Sequence, residues 1–323
     1  MHSLERQAHE ATAGLRSRRL ARLRTRVALA RSRLKGAWQI YSQSRLGQVG
    51  LLLIGIFGLL ALIHPILMET VWPRGIYDPE VGFDPRTLHP ALPSSAHLLG
   101  TDALGRDVLS MLLAATTPTF VLGLTAAFTT SVVGTLLGGF SGYFRGLPDA
   151  VLSRVSDVFL LLPAPILMVI VGTRFRDLGP FSLGLIYGLF AGAGSTAIVL
   201  RSVSLRIREL PYVEASKTSG GSAGYILVRH VIPAMLPMAA LQMMIAVTGA
   251  VVADGFISFF GFTRSIHNWG TMVYNALTYG VALGAIDTQW HALIPPSLAL
   301  SLFALAFYLT SQGLHRVADP RQR

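Results

Sequence analysis

Lys217 and Thr218, ahead of Ser219, Gly220 and Gly221, are the residues whose types and order come nearest to a phosphate-binding device. Such a device needs GxxxxGK[ST], in which glycine backbone amides cradle phosphates and the lysine reaches the terminal ones. Ser216 stands where the glycine before the lysine must be, and Pro211, which has no amide hydrogen, stands where the first glycine must be. The stretch therefore forms no P-loop. "HEATA", from His9, lacks the second histidine that would set two imidazoles on one helix face around zinc, and no GxSxG elbow occurs. The nine histidines are scattered over different segments, and there is no cysteine, which excludes disulfides, thiolate metal sites, Fe–S clusters and cysteine nucleophiles. No catalytic residue, metal or cofactor is expected in this chain.

The elements that hold these residues are set by apolarity. Of 323 residues 52% are hydrophobic and 13% charged, with a mean hydropathy of +0.54, far from the mix of a soluble domain. A helix needs roughly 20 apolar residues to cross a bilayer. Six windows free of Lys and Arg have about that length: 48–68, 119–141, 157–173, 181–200, 231–257 and 292–312. The first lies too far into the chain, behind too many arginines, to be a cleaved signal. The expected class is an all-α polytopic membrane protein with six transmembrane helices.

With the N-terminus inside, the segments 1–47, 142–156, 201–230 and 313–323 hold 21 of the 27 Lys and Arg residues. That asymmetry is the positive-inside pattern and places both termini in the cytoplasm. It also accounts for the net charge of +11 without nucleic acid. In the 1–47 tail, Leu20, Leu23, Val27 and Leu34 recur at helical spacing among arginines, which predicts a basic amphipathic helix lying on anionic lipid headgroups.

The outer segment 69–111 has too many prolines and Asp/Gly turns for one helix and is too long for a passive connector, so a folded cap is expected. Gly134, Gly138 and Gly142 in the second window, and Gly184, Gly188 and Gly192 in the fourth, each fall on one helix face and would let a neighbouring backbone come close. Pro163 and Pro165 predict a kink in the third window. Asp157 and Asp254 lie closest to hydrocarbon, at positions that read as helix ends within reach of water. Residues 258–290 are too apolar for a free loop and too interrupted for a span, which predicts an outward-facing re-entrant hairpin. Gly313, Arg316 and Pro320 read as the stop of the last span, leaving 314–323 as a short cytoplasmic tail after the 48–313 domain.

The segment 201–230, between the fourth and fifth windows, reads as two short helices meeting at Gly220-Gly221, the first opened by Pro211 with Glu209 and Glu214 near its positive end. His230, beside Arg229 at the base of the fifth window, reads as an interfacial polar residue.

"YVEASKTSGGSAGYILVRHVIPAMLP" resembles the EAA loop of ATP-binding-cassette importer permeases, whose pattern is E-A-A, three residues, G, nine residues, I-x-L-P. Glu214, Ala215 and Ser216 stand for E-A-A, Gly220 follows, and Pro233 closes the pattern; Ser216, His230 and Ile232 depart from it in type but keep the spacing. "HLLGTDALGRDVLSMLL", "GGFSGYFRGLPDAVLSRVSDVFLLLPAPIL" and "GLHRVADPR" are similar to segments of the second permease subunit of the dipeptide/oligopeptide branch, so the likeness runs over roughly 45–320. "TRSIHNWG" departs from the proline-rich run usual before the Trp-Gly of that branch.

The resemblance implies a type I importer permease fold with a cytoplasmic coupling helix, in the inner or plasma membrane. It implies pairing with a second homologous permease subunit, docking of two ATPase subunits that bind ATP and Mg, and delivery of solute by an extracytoplasmic binding protein. Tyr212, Glu214, Ala215, Ser216, Lys217, Gly220 and Gly221 would form the ATPase-docking loop. The implied solute is a peptide, with nickel chelates, glutathione and oligosaccharides as alternatives. A stand-alone secondary transporter would need no docking loop, and a membrane-embedded enzyme would need convergent catalytic groups inside the windows.

Overall fold

The computed structural model describes residues 32, 35, 36, 38–175, 178–260, 267–282 and 289–318. Most of the amphipathic stretch of the tail, Pro320, and residues 261–266 and 283–288 of the expected hairpin lie outside them. Among the described residues regular structure is helical, apart from one isolated bridge between Thr101 and Asp107.

Five helices are long and apolar enough to cross a membrane: Arg45–Thr70, Val108–Phe144, Pro180–Arg208, Ala223–Phe259 and Trp290–Arg316. The first is α1 (Arg45–Thr70), started by Ser44, whose hydroxyl accepts the Gly47 amide at 3.2 Å. It is apolar on all sides and mostly unburied, with Leu52, Leu59 and Leu62 exposed, as suits a helix with lipid on one flank. After α2 (Arg74–Tyr77) come α3 (Val108–Ala114) and α4 (Thr116–Phe144), which run on through Ala115.

The third window is not one helix. It falls on α5 (Leu147–Leu161) and α6 (Ala164–Arg174), separated by extended backbone at Leu162 and Pro163. A proline disfavours helical backbone in the residue before it and cannot donate to the preceding turn, so Pro163 breaks the helix where a kink was expected.

The fourth span is α7 (Pro180–Ala191), a wide π turn at Gly192–Thr196, and α8 (Ala197–Arg208). Inside that turn Gly194 leaves helical geometry, at φ −85°, ψ −112°. Next come α9 (Pro211–Thr218), α10 (Ala223–Ile226), a second π turn at Leu227–Val231, and α11 (Ile232–Phe259). The chain closes with α12 (Trp269–Ala282) and α13 (Trp290–Ala318). Gly313 does not end the last helix. A β-carbon there would lie 3.0 Å from the Gly47 Cα and collide with the Tyr41 ring, so the glycine is needed for the crossing of α1 and α13, and the helix runs to Ala318.

Two apolar cores result. The larger gathers Phe57, Met111, Leu122, Met168, Val247, Trp269 and Phe303 at the end of the bundle that carries residues 71–107, the cap end. The smaller joins Tyr143, Leu200, Ile207, Val213, Ile226, Val231 and Met235 at the end that carries residues 209–222, the loop end.

Candidate functional site

The loop end presents a short helix on a rigid mount. Pro211 opens α9 at its first turn, where the missing amide hydrogen costs nothing, and Leu210 before it is extended. Val213 is fully buried in the smaller core, as is Ile226 of α10, so one apolar anchor on each side of the turn pins the segment to α4, α8 and α11. Between the anchors Gly220 takes φ +83°, a conformation that a β-carbon resists. Gly221 lies against Ser216: its amide donates to the Ser216 carbonyl at 3.0 Å, and a β-carbon would stand 2.7 Å from that oxygen. Lys217 is not directed at a phosphate cradle; its Nζ lies 5.9 Å from the centre of the Tyr143 ring, at the end of a helix.

Opposite Val213 the surface is open. Tyr212, Glu214, Ala215 and Lys217 are exposed and Ser216 half-buried, and among the described residues no hydrogen bond or ion pair engages the Glu214 carboxylate. His230 packs between the rings of Tyr212 and Tyr225, at 6.0 and 5.9 Å between centres, and these three form an aromatic edge to the same surface. Their assembly was not legible, because His230 reaches its partners only through the π turn that rotates it.

Ion pairs brace the mount. Glu209 does not serve α9; it ends α8 and pairs with Arg145 at 2.8 Å, while Arg208 donates to the Tyr143 carbonyl at 2.9 Å. Asp149, on α5, takes a two-pronged contact from Arg201 of α8 and a 2.5 Å bond from Ser141 of α4. The Arg201 guanidinium holds the Asp149 carboxyl below the usual carboxylate range, against partial desolvation. A depressed carboxyl stabilises the fold above its unfolded value, and the gain is lost as pH falls through the folded one. The thermal stability of the solubilised protein should therefore drop below about pH 4, and Asp149→Asn should flatten that acid limb; a limb unchanged in the variant would refute the assignment.

The two glycine triplets lie along one line of contact between α4 and the fourth span. A β-carbon on Gly138 would stand 2.6 Å from the Ala197 carbonyl, and one on Gly142 2.6 Å from Ser204 Cβ, while one on Gly134 would strike the Thr196 side chain. From the other side, a β-carbon on Gly184 would stand 2.5 Å from the Leu122 carbonyl, one on Gly188 2.5 Å from the Thr129 Cβ and one on Gly192 2.8 Å from the Val133 Cβ. Each helix thus gives backbone where the other brings bulk.

At the cap end, the segment "HLLGTDALGRD" is internally tied. Arg106 pairs with Asp102 at 2.5 Å, and His97 sits 2.9 Å from Asp107 and 3.5 Å from Asp84. Asp107 caps α3 by accepting the Ser110 amide at 2.7 Å; burial pushes its carboxyl up, opposed by that amide and by His97. His291, at the start of α13, bonds the Thr101 carbonyl at 3.0 Å and joins the cap to the bundle. Asp157 is exposed, whereas Asp254 is only 6% exposed and is bonded by Asn268, so the latter is not a water-facing helix end. Among the described residues no group of His, Cys, Asp or Glu could hold a metal ion.

Residues 134–323, which contain the loop, its mount and all six contact glycines, match the family described as "Binding-protein-dependent transport system inner membrane component". The chain is 28% identical over 306 residues to a glutathione transport system permease protein of Pectobacterium atrosepticum, covering 94% of this chain and 98% of the relative. It is 28% identical over 293 residues to a dipeptide transport system permease protein of Bacillus subtilis, covering 89% and 85% of the two chains. An oligopeptide transport system permease protein of Lactococcus lactis is 29% identical over 231 residues, covering 71% and 77%. The chain therefore belongs to the family of binding-protein-dependent transport system inner membrane components, as a multi-pass permease.

Proposed function

We propose that this chain forms half of the translocation path of an ATP-driven importer for peptides or similar solutes, and that α9 is where the motor engages it. The observation that carries this reading is the division of labour on α9, where Val213 anchors the helix and Glu214 is exposed and, among the described residues, without a partner. A helix fixed on one side and chemically unfinished on the other is a contact surface for another protein. The partner that suits it is an ATPase subunit that brings an arginine to Glu214 and binds ATP and Mg itself. A second permease would supply the other half of the path, with an extracytoplasmic binding protein delivering the solute. The loop end and both termini are then cytoplasmic, the cap end is outside, and the basic tail lies on anionic headgroups.

Glutathione, dipeptide and oligopeptide relatives favour a peptide-like solute. Purifying the full chain from its native membrane in mild detergent tests the reading. An ATPase and a second permease should elute with it in a stable complex, and solute-driven uptake by vesicles holding this chain alone would overturn it.

A further inference from the structure

Asp254 is a carboxylate placed in the apolar part of α11, close to the cap end, and nothing so far gives it a task. Burying such a group in a membrane helix is costly enough that it marks a function by default. A solute site does not fit. The cavity beside it, walled by Thr119, Leu122, Leu183, His267 and Asn268, holds only about 10 Å³ of accessible space, about enough for one water.

What Asp254 does touch is the hairpin. Asn268 Oδ1 accepts the Gly270 amide at 2.6 Å, which caps α12 and leaves the Nδ2 group to donate to Asp254. One side chain therefore starts α12 and ties it to α11. The next two residues add attachments, Trp269 to α3 and Gly270 to α11. Trp269 is buried and its indole nitrogen donates to the Leu112 carbonyl at 3.0 Å, and a β-carbon on Gly270 would stand 2.6 Å from the Gly255 carbonyl. Of the three ties, only the one to Asp254 joins two polar side chains, and its loss leaves α12 held by the Trp269 bond and by apolar packing.

We propose that Asp254 and Asn268 form a latch that seats α12 on α11 and, on the reading that the cap end is outside, keeps the buried face of α12 from the outer solution. The chain has no cysteine, so one introduced thiol reports cleanly. Ala276→Cys places it on the face of α12 that is buried while the latch holds. In the full chain in membrane vesicles, the rate of labelling by an impermeant maleimide should rise at least about tenfold in Asp254→Ala. Asn268→Ser, which keeps a capping oxygen but is too short to reach Asp254, should do the same. Asp254→Asn keeps an acceptor and should stay within about threefold of the parent. Labelling unchanged in both Asp254→Ala and Asn268→Ser overturns the latch. Because labelling is read without nucleotide, that result leaves the co-purification of an ATPase standing, and absence of the ATPase leaves the latch standing.

Discussion

Glu214→Ala is expected to yield a chain that inserts and folds like the parent but no longer drives uptake. The fold should not respond, because Glu214 is exposed and the buried member of its turn is Val213. The functional loss is expected to be large because the proposed contact buries the carboxylate against an arginine of the ATPase, and removing one partner of such a pair orphans the other. That costs on the order of 2–5 kcal/mol, about 30-fold or more in affinity. The measurement is ATP hydrolysis and solute uptake side by side in reconstituted vesicles, with the second permease unaltered. Uptake should collapse while the thermal melting point of this chain stays put; unaltered uptake would refute the role given to Glu214.

Gly138→Val is the substitution expected to damage the fold most. Its β-carbon would lie 2.6 Å from the Ala197 carbonyl and 2.8 Å from the Arg201 nitrogen, so the atoms in the way are backbone and no rotamer change relieves them. Overpacking of a closed contact costs about 1–3 kcal/mol even where side chains can shift, and the upper end or beyond applies here. The control is Gly55→Val on α1, where a β-carbon meets nothing within 4 Å. Melting in detergent should show the first variant strongly destabilised or not accumulating and the second close to parent. Equal behaviour of the two would mean that α4 and the fourth span do not meet through this line.

These contrasts show what the sequence could convey. Hydropathy located the long spans, since five of the six windows fall within the five membrane-crossing stretches, but it could not see their ends or the break at Gly194. The fourth window stops at residue 200 because of Arg201, yet the helical stretch runs on to Arg208, since Asp149 satisfies Arg201, the Tyr143 carbonyl satisfies Arg208 and Arg206 is exposed. The third window looked continuous because hydropathy does not register the backbone amide that Pro163 lacks. The glycine triplets were visible as spacing, but the identity of what they face was not: the fourth-span triplet meets Leu122, Thr129 and Val133 of α4. Asp254 looked like a helix end because its partner, Asn268, is 14 residues further along the chain. Within the loop, spacing marked Glu214 and Gly220, while Val213, the anchor that makes α9 rigid, is an ordinary valine until the fold buries it.

The departure from helical backbone at Gly194 has a consequence in lever arithmetic. From Gly194 to the end of α8 at Arg208 is about 21 Å at 1.5 Å per residue. With the helical ladder interrupted at Gly194, that arm has a fulcrum, and the Arg201–Asp149 and Glu209–Arg145 ion pairs grip it along its length and at its end. A swing of about 10° at the fulcrum carries the far end by about 4 Å, close to the width of a methyl group. The fulcrum lies beside Phe159, whose Cβ would stand 3.3 Å from a β-carbon on residue 194, so glycine there leaves the joint its clearance. Any change of angle at Gly194 would thus reach α9 as a side-chain-sized displacement, carried by α8 together with the stretches of α4 and α5 that grip it.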